Sequence, residues 1–322
     1  MAYQLEFRPI ARKFLRSLVT SHGSWEVREA IILRLTDTNG KVGWGEIAPI
    51  SWFGSETLEQ ALDFCRQLPK EITPAIIYSI PDNLPACQFG FETALENSKL
   101  NNLPSSSSSP LTPHSPLTYS ALLPAGEAAL NQWRNLWKEG YRTFKWKIGV
   151  GEITQELKIF GSLIQNSPTS AKLRLDANGG LSYQQAHTWL QACDNSPIEI
   201  EFIEQPLSVD KFSQMLELSE VYNTAIALDE SVATLKQLAD CYEQGWRDVF
   251  VIKPAIIGSP SRLRKFFQQH QIDAVFSSVF ETAIARQAAL KLAAELSLHN
   301  RAVGFGVNHF FAEECENNFL SQ

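Results

Sequence analysis

From residue 118 onward the chain repeats one pattern: a short run rich in β-branched and aromatic residues, then a longer stretch with helical spacing. The strand-like runs are TYSALL, RTFKWKIG, AKLRLDA, IEFIEQP, AIALDES, DVFVIKP, IDAVFSS and AVGFG. Between them lie stretches such as AALNQWRNLWKEG, YQQAHTWLQACD, KFSQMLELSEVY, TLKQLADCYEQG, SRLRKFFQQH and TAIARQAALKLAAEL. Strict alternation of strand and helix means a parallel sheet, because parallel neighbours need a crossover connection. Eight such units in residues 118–306 predict an α/β fold of the modified (β/α)8-barrel type. An open doubly wound sheet is the alternative. It would want a glycine-rich phosphate loop, and GVGEIT matches GxGxxG poorly, while GxxxxGK[ST] is absent. A nucleotide-binding protein is disfavoured on the same ground.

The first hundred residues are organised differently. YQLEFRPIARKFL, EVREAIILRLTD and KVGWGEIAP read as strands, and SETLEQALDFCRQL and ACQFGFETALENSKL as helices. Strands grouped before helices predict an α+β capping domain over residues 1–102. LPSSSSSPLTPHSP cannot bury anything and reads as a Ser/Pro-rich linker, 103–117, followed by the barrel (118–306) and a C-terminal segment (307–322). A net charge of −7 with no long basic run argues against a nucleic-acid partner. The N-terminus lacks the apolar core of a signal peptide and no apolar run is long enough to span a membrane, so the expected setting is the cytoplasm, with no membrane partner. Cys65, Cys87, Cys193, Cys241 and Cys315 are scattered without a CxxC pair, which predicts reduced structural thiols.

YRTFKWKIGV carries the chemistry. Residues two apart in a strand share a face, so Lys145 and Lys147 point the same way with Thr143, while Phe144, Trp146 and Ile148 point the other way. Alone, this is an edge strand with a solvated lysine face. In a parallel barrel, however, strand C-termini meet at one mouth. There LRLDANG brings Arg174 and Asp176, FIEQP brings Glu204, ALDES brings Asp229, VIKP brings Lys253, and FSS brings Ser277 and Ser278. Charges so gathered are costly unless paired or metal-bound. Three carboxylates one β/α unit apart, with no His or Cys beside them, suit a hard cation, Mg²⁺ foremost. His22, His114, His187, His270, His299 and His309 show no ligand spacing, so zinc does not fit. With lysines on the flanking strands, the arrangement offers two possible bases facing a Lewis acid. Such a site would acidify the α-hydrogen of a bound carboxylate, and a neutral lysine would remove it to give an enediolate. The lysine pKa must then be lowered, by the cation, by Lys145 and by a water-poor barrel.

In this order, KWK, LDANG, EQP, LDES and IKP resemble the enolase superfamily in its muconate-lactonising subgroup, where a lysine base works beside magnesium. VGWGEIAPISWFGSETLEQA and FSSVFETAIAR narrow the likeness to the o-succinylbenzoate-forming dehydratases of menaquinone and phylloquinone biosynthesis. The resemblance covers nearly the whole chain. It implies that Asp176, Glu204 and Asp229 bind Mg²⁺, with Mn²⁺ as a substitute. It implies that Lys147 abstracts the α-proton and, as its conjugate acid, helps hydroxide depart as water, while Lys253 stabilises the enediolate from the opposite face. Lys145 would tune Lys147 and contact the substrate carboxylate, Arg174 and Asn178 would support the site, and Ser277 and Ser278 would contact the succinyl end. The implied substrate is a small carboxylate, 2-succinyl-6-hydroxy-2,4-cyclohexadiene-1-carboxylate, whose loss of water gives aromatic 2-succinylbenzoate. SHGSWEV would close as a lid and ISWFGSE would supply a wall, making Trp25 and Phe53 specificity candidates. N-succinylamino acid racemisation is the nearest rival, because it needs the same two lysines. Dipeptide epimerases carry Asp-x-Asp on the eighth strand, whereas VGFGVNHFF has no acid until Glu313. A purely structural metal site would not need lysines facing it.

Overall fold

A computed structural model describes residues 2–20, 23–100, 117–307 and 310–311. The linker up to residue 116, Ser21 and His22 at the tip of the expected lid, and most of the C-terminal segment with Cys315 lie outside these residues. The N-terminal strands β1 (Tyr3–Thr20), β2 (Gly23–Asp37), β3 (Val42–Ile47) and β4 (Glu71–Ile72) form an antiparallel sheet in the order β3-β2-β1-β4. The β2–β3 turn is closed by Asp37, whose Oδ1 accepts the amides of Asn39 and Lys41 at 2.8 Å. Helix α1 (Leu58–Gln67) starts on a reciprocal cap between Thr57 and Gln60. After the short α2 (Pro74–Tyr78), helix α3 (Pro85–Leu100) lies on β3. The contact is backbone on backbone. A Cβ at Gly43 would stand 2.0 Å from the Ala94 carbonyl oxygen, and one at Gly45 would stand 2.1 Å from that of Gly90.

The second sheet is parallel and runs in strict chain order: β5 (Ser120–Leu123), β6 (Thr143–Lys147), β7 (Lys172–Asp176), β8 (Glu199–Glu204), β9 (Ile226–Leu228), β10 (Val249–Ile252) and β11 (Ala274–Phe276). Each strand lies beside its predecessor, which a doubly wound sheet with a switch point would not give. Helices α4 (Ala129–Lys138), α5 (Ile153–Asn166), α6 (Tyr183–Asp194), α7 (Phe212–Val221), α8 (Leu235–Glu243), α9 (Pro254–Ile257), α10 (Pro260–Gln269) and α11 (Ala283–Leu296) make the crossovers. The AVGFG run closes the ring: Val303 bridges to Tyr119 ahead of β5, and Gly304 bridges to Ser277 after β11. The expected eighth strand is thus present as a pair of bridges. Outward-facing side chains meet the helices, as where Trp146 of β6 and Phe160 of α5 both pack edge-on against Trp189 of α6. Cys65, Cys87, Cys193 and Cys241 are buried free thiols. Among the described residues no helix is long and apolar enough to cross a membrane.

The cap is bound to the barrel through buried polar groups. Glu46 of β3 accepts the Thr282 amide at 3.0 Å and its hydroxyl at 2.5 Å, at the start of α11. Glu92 of α3 accepts the Ser261 amide at 3.0 Å and the Ser259 hydroxyl, at the start of α10. A carboxylate at a helix N-terminus meets amides that have no intrahelical partner and the positive end of the dipole. Arg28 of β2 donates from Nε to the Val279 carbonyl at 2.9 Å and from Nη1 to that of Pro49 at 2.9 Å.

Because the clash at Gly43 is with backbone, Gly43→Ala must lift α3 off β3. Overpacking of this kind costs roughly 1–3 kcal/mol. The urea midpoint of the variant should fall accordingly, and an unchanged midpoint would show that the close seating is not there.

Candidate active site

Alternation along each barrel strand selects what faces the barrel axis. Thr143, Lys145 and Lys147 share the inner face of β6, and Arg174 and Asp176 that of β7. Phe202 and Glu204 do so on β8, Ala227 and then Asp229 on β9, and Val251 and then Lys253 on β10. Phe202, Ala227, Val249, Val251 and Val275 form an apolar floor inside the barrel. The register places Lys147 opposite Asp176, Asp176 opposite Glu204 and Glu204 opposite Ala227, so Asp229 stands two residues further along. Strands β6 and β10 are the second and sixth staves of the eight-membered ring, so Lys147 and Lys253 stand on opposite sides of the carboxylates.

The three acids are buried, with 8%, 2% and 3% exposure for Asp176, Glu204 and Asp229. Lys145, one layer lower, reaches up to them. Its Nζ lies 2.8 Å from Asp176 Oδ2 and 2.7 Å from Glu204 Oε1. Lys253 pairs with Asp229 and sits 3.9 Å above the centre of the Phe53 ring. Lys147 donates to Asn178 Oδ1, and Asn178 Nδ2 donates to Glu230 Oε1 at 2.9 Å. Gln205, buried with a left-handed backbone (φ 39°), accepts the Asp229 and Ser231 amides on its Oε1 at 3.0 and 3.2 Å and so fixes the turn that carries Asp229.

The electrostatics follow from this crowding. Burial works against the charge of Lys145, but Asp176, Glu204 and Asp229 outweigh it and hold its pKa above the ordinary lysine value. Burial would also raise Asp176, yet the Lys145 ammonium prevails and keeps that carboxyl below the usual range. One ammonium cannot keep two neighbouring acids ionised. Burial and then repulsion from Asp176 push Glu204 up to about 8, and burial pushes Asp229 up to about 6 against the pull of Lys253.

The remaining expected residues make contacts within the protein. Arg174 lies beneath the carboxylates, with its Nε on Glu201 Oε2 at 2.6 Å and its guanidinium 5.0 Å from the centre of the Phe202 ring. The Ser278 hydroxyl donates to Glu281 at 2.8 Å and accepts the Phe280 amide, while Ser277 forms the bridge to Gly304. Trp25 packs edge-on against Phe14, Trp52 and Phe280. Sequence reasoning singled out neither Glu230 nor Gln205 individually, although both sit in the LDES and EQP motifs and their only signal was adjacency to an acid.

Among the described residues no three His, Cys, Asp or Glu side chains are drawn around one point. The Lys145 and Lys253 ammonium groups lie on the carboxylate oxygens that a cation would use. The donor set nevertheless fits a hard divalent ion. It is all oxygen and it is buried on neighbouring staves, and burial together with repulsion from neighbouring acids raises Glu204 and Asp229, a cost that a divalent ion would offset.

The family model for enolase C-terminal domain-like proteins matches residues 128–319, and that for the MenC N-terminal domain matches residues 15–98. The o-succinylbenzoate synthase of Thermosynechococcus vestitus is 42% identical over 298 residues, covering 91% of this chain and 89% of the relative. The L-Ala-D/L-Glu epimerase of Bacillus subtilis is 26% identical, covering 89% and 82%. Among solved structures, o-succinylbenzoate synthase from Thermosynechococcus elongatus BP-1, with magnesium in its active site, superposes with a TM-score of 0.85 at 39% identity, covering 96% of this chain and 94% of that one. The N-succinyl Arg/Lys racemase of Bacillus cereus shares the fold at 18% identity, with a TM-score of 0.76 and coverage of 97% and 89%.

In the metal-free protein, folded Glu204 keeps its proton up to about pH 8, against the ordinary 4.5 of an exposed glutamate. Between these values the folded chain binds more protons than the unfolded one, so its stability falls as pH rises through that window. Thermal melts of chelator-treated protein from about pH 5 to about pH 8 should show this loss, and Glu204→Gln should flatten it. Equal slopes in the two proteins would refute the assignment.

Proposed function

The chain belongs to the enolase superfamily and, within it, to the o-succinylbenzoate synthases, and from that membership we propose that Lys147 and Lys253, on opposite sides of a carboxylate cluster, run a syn dehydration of 2-succinyl-6-hydroxy-2,4-cyclohexadiene-1-carboxylate. The opposed placement of these lysines about Asp176, Glu204 and Asp229 is the observation that carries the reading. Those three carboxylates would hold a magnesium ion, with manganese as a substitute, and the ion would supply Lewis-acid stabilisation for negative charge gathering on the substrate carboxylate.

The chain's own groups do the rest. Lys147, as the free amine, takes the proton α to the carboxylate, and the electrons of the broken C–H bond become the new ring double bond as the C–O bond breaks. The same Nζ, now an ammonium, hands a proton to the departing hydroxide, which leaves as water. One lysine serves both transfers because hydrogen and hydroxyl depart from the same face. Lys253 remains a cation throughout and attracts the developing charge from the other side, with the Phe53 ring against it. The product ring is aromatic, so the second half is strongly downhill. The apolar floor and the Phe53 ring of the cap keep water scarce around these transfers. The reading makes this a cytoplasmic enzyme acting on a free small-molecule carboxylate.

Lys147→Ala should lower turnover of the cyclohexadiene carboxylate by about 10²–10⁴-fold while the chain stays folded by circular dichroism. Lys253→Ala should be severely impaired as well, and a chelator should abolish activity that added Mg²⁺ restores. Near-normal dehydration by Lys147→Ala would remove it as the base. A wild-type protein that racemises N-succinylamino acids and leaves the cyclohexadiene untouched would overturn the reaction itself.

A further inference from the structure

We infer that Glu230 is a positioning residue for Lys147: it locks the Asn178 side-chain amide in the one orientation that turns a carbonyl oxygen toward the lysine. The inference rests on the dehydration reading only in taking Lys147 as the base.

The argument is one of donors and acceptors. An amide has a donating end and an accepting end, a carboxylate only accepts, and an ammonium only donates. Asn178 sits between the last two, with Oδ1 accepting from Lys147 Nζ and Nδ2 donating to Glu230 Oε1 at 2.9 Å. A flipped amide would set NH₂ against the ammonium and oxygen against the carboxylate, losing both bonds at once. Glu230 Oε2 has no hydrogen-bond partner among the described residues, so the side-chain pairing of this carboxylate goes to Asn178.

Both ends of the relay are fixed by backbone. Asn178 occupies the left-handed region (φ 42°), which asparagine tolerates better than most residues, and its amide donates to Asp176 Oδ1 at 3.1 Å. Glu230 opens the single 3₁₀ turn Glu230–Val232, which Gln205 grips at the amides of Asp229 and Ser231 on either side of it. With one Nζ direction tied to Oδ1, the lone pair of the free amine is confined to the remaining directions. A glutamine at 230 could present either an oxygen or an NH₂, and the amide of Asn178 would no longer be held one way.

The test is a double-mutant cycle of Glu230→Gln and Asn178→Gly, glycine being chosen because it accepts the left-handed backbone without strain. Glu230→Gln should lower kcat about tenfold, the size of one charge-assisted hydrogen bond, with KM little changed. In the Asn178→Gly background it should have no further effect. Additive losses, or an unchanged kcat in Glu230→Gln, would overturn the lock. A second readout needs neither substrate nor metal: in ¹⁵N-labelled, chelator-treated protein the Asn178 side-chain amide resonance should move in Glu230→Gln. If it moves while wild type fails to dehydrate the cyclohexadiene, the lock stands and the reaction assignment falls. If it stays in place, the lock itself is wrong.

Discussion

Three carboxylates buried on neighbouring staves repel one another, and much of the surrounding structure answers that repulsion. Two unit charges about 5 Å apart in a protein environment oppose each other by about 3 kcal/mol. Asp176 and Glu204 are paired across neighbouring strands and Asp229 lies two residues beyond Glu204's partner Ala227, with little water to screen them. Lys145 and Lys253 supply part of the compensation, but burial, joined at Glu204 by repulsion from Asp176, still pushes the Glu204 carboxyl up to about 8 and that of Asp229 up to about 6. On the proposed reading, a divalent cation would offset both the burial and the repulsion.

The contrast with the other buried acids makes the point. Glu46, Glu56 and Glu92 are also buried, yet each is met by hydrogen-bond donors at the start of a helix. Donors of that kind satisfy a carboxylate in place and ask nothing further of it. They bind the cap together and fasten it to the barrel, so the wall that brings Phe53 onto Lys253 is rigidly referenced to the strand ends. These three acids face amides and hydroxyls, whereas Asp176, Glu204 and Asp229 face ammonium groups and one another.

Beneath the site the inner face turns apolar on β8 to β11, while β6 and β7 stay polar there with Lys145 and Arg174. The floor of Phe202, Ala227, Val249, Val251 and Val275 supports the charged tips above it. A β-bulge interrupts this order. The pairing of β7 with β8 slips between Leu173 and Arg174, leaving Glu201 as the extra residue beside Phe202. The slip carries Glu201 to Arg174, with Arg301 and Lys172 each 3.7 Å from its other oxygen. Arg174 is therefore paired with Glu201 below the carboxylate cluster.

What the sequence determined by itself is whatever depends on local period. The alternation of strand and helix dictated a parallel sheet in chain order, and the two-residue repeat put Lys145 and Lys147 on one face, with Asp176, Glu204, Asp229 and Lys253 at equivalent strand ends. The family motifs then supplied roles that spacing alone does not carry. What only tertiary structure decided is who faces whom across long separations. Glu46 meets Thr282 across 236 residues and Asn178 meets Glu230 across 52. The Arg174–Glu201 pairing depends on a bulge that no periodicity announces, and the Ser278 hydroxyl is held by Glu281 three residues on, in a turn that the strand pattern does not show. Period is a property of one segment and is written in it. A contact between segments depends on register, bulges and the close seating of backbones, and those are settled only when the whole chain has closed on itself.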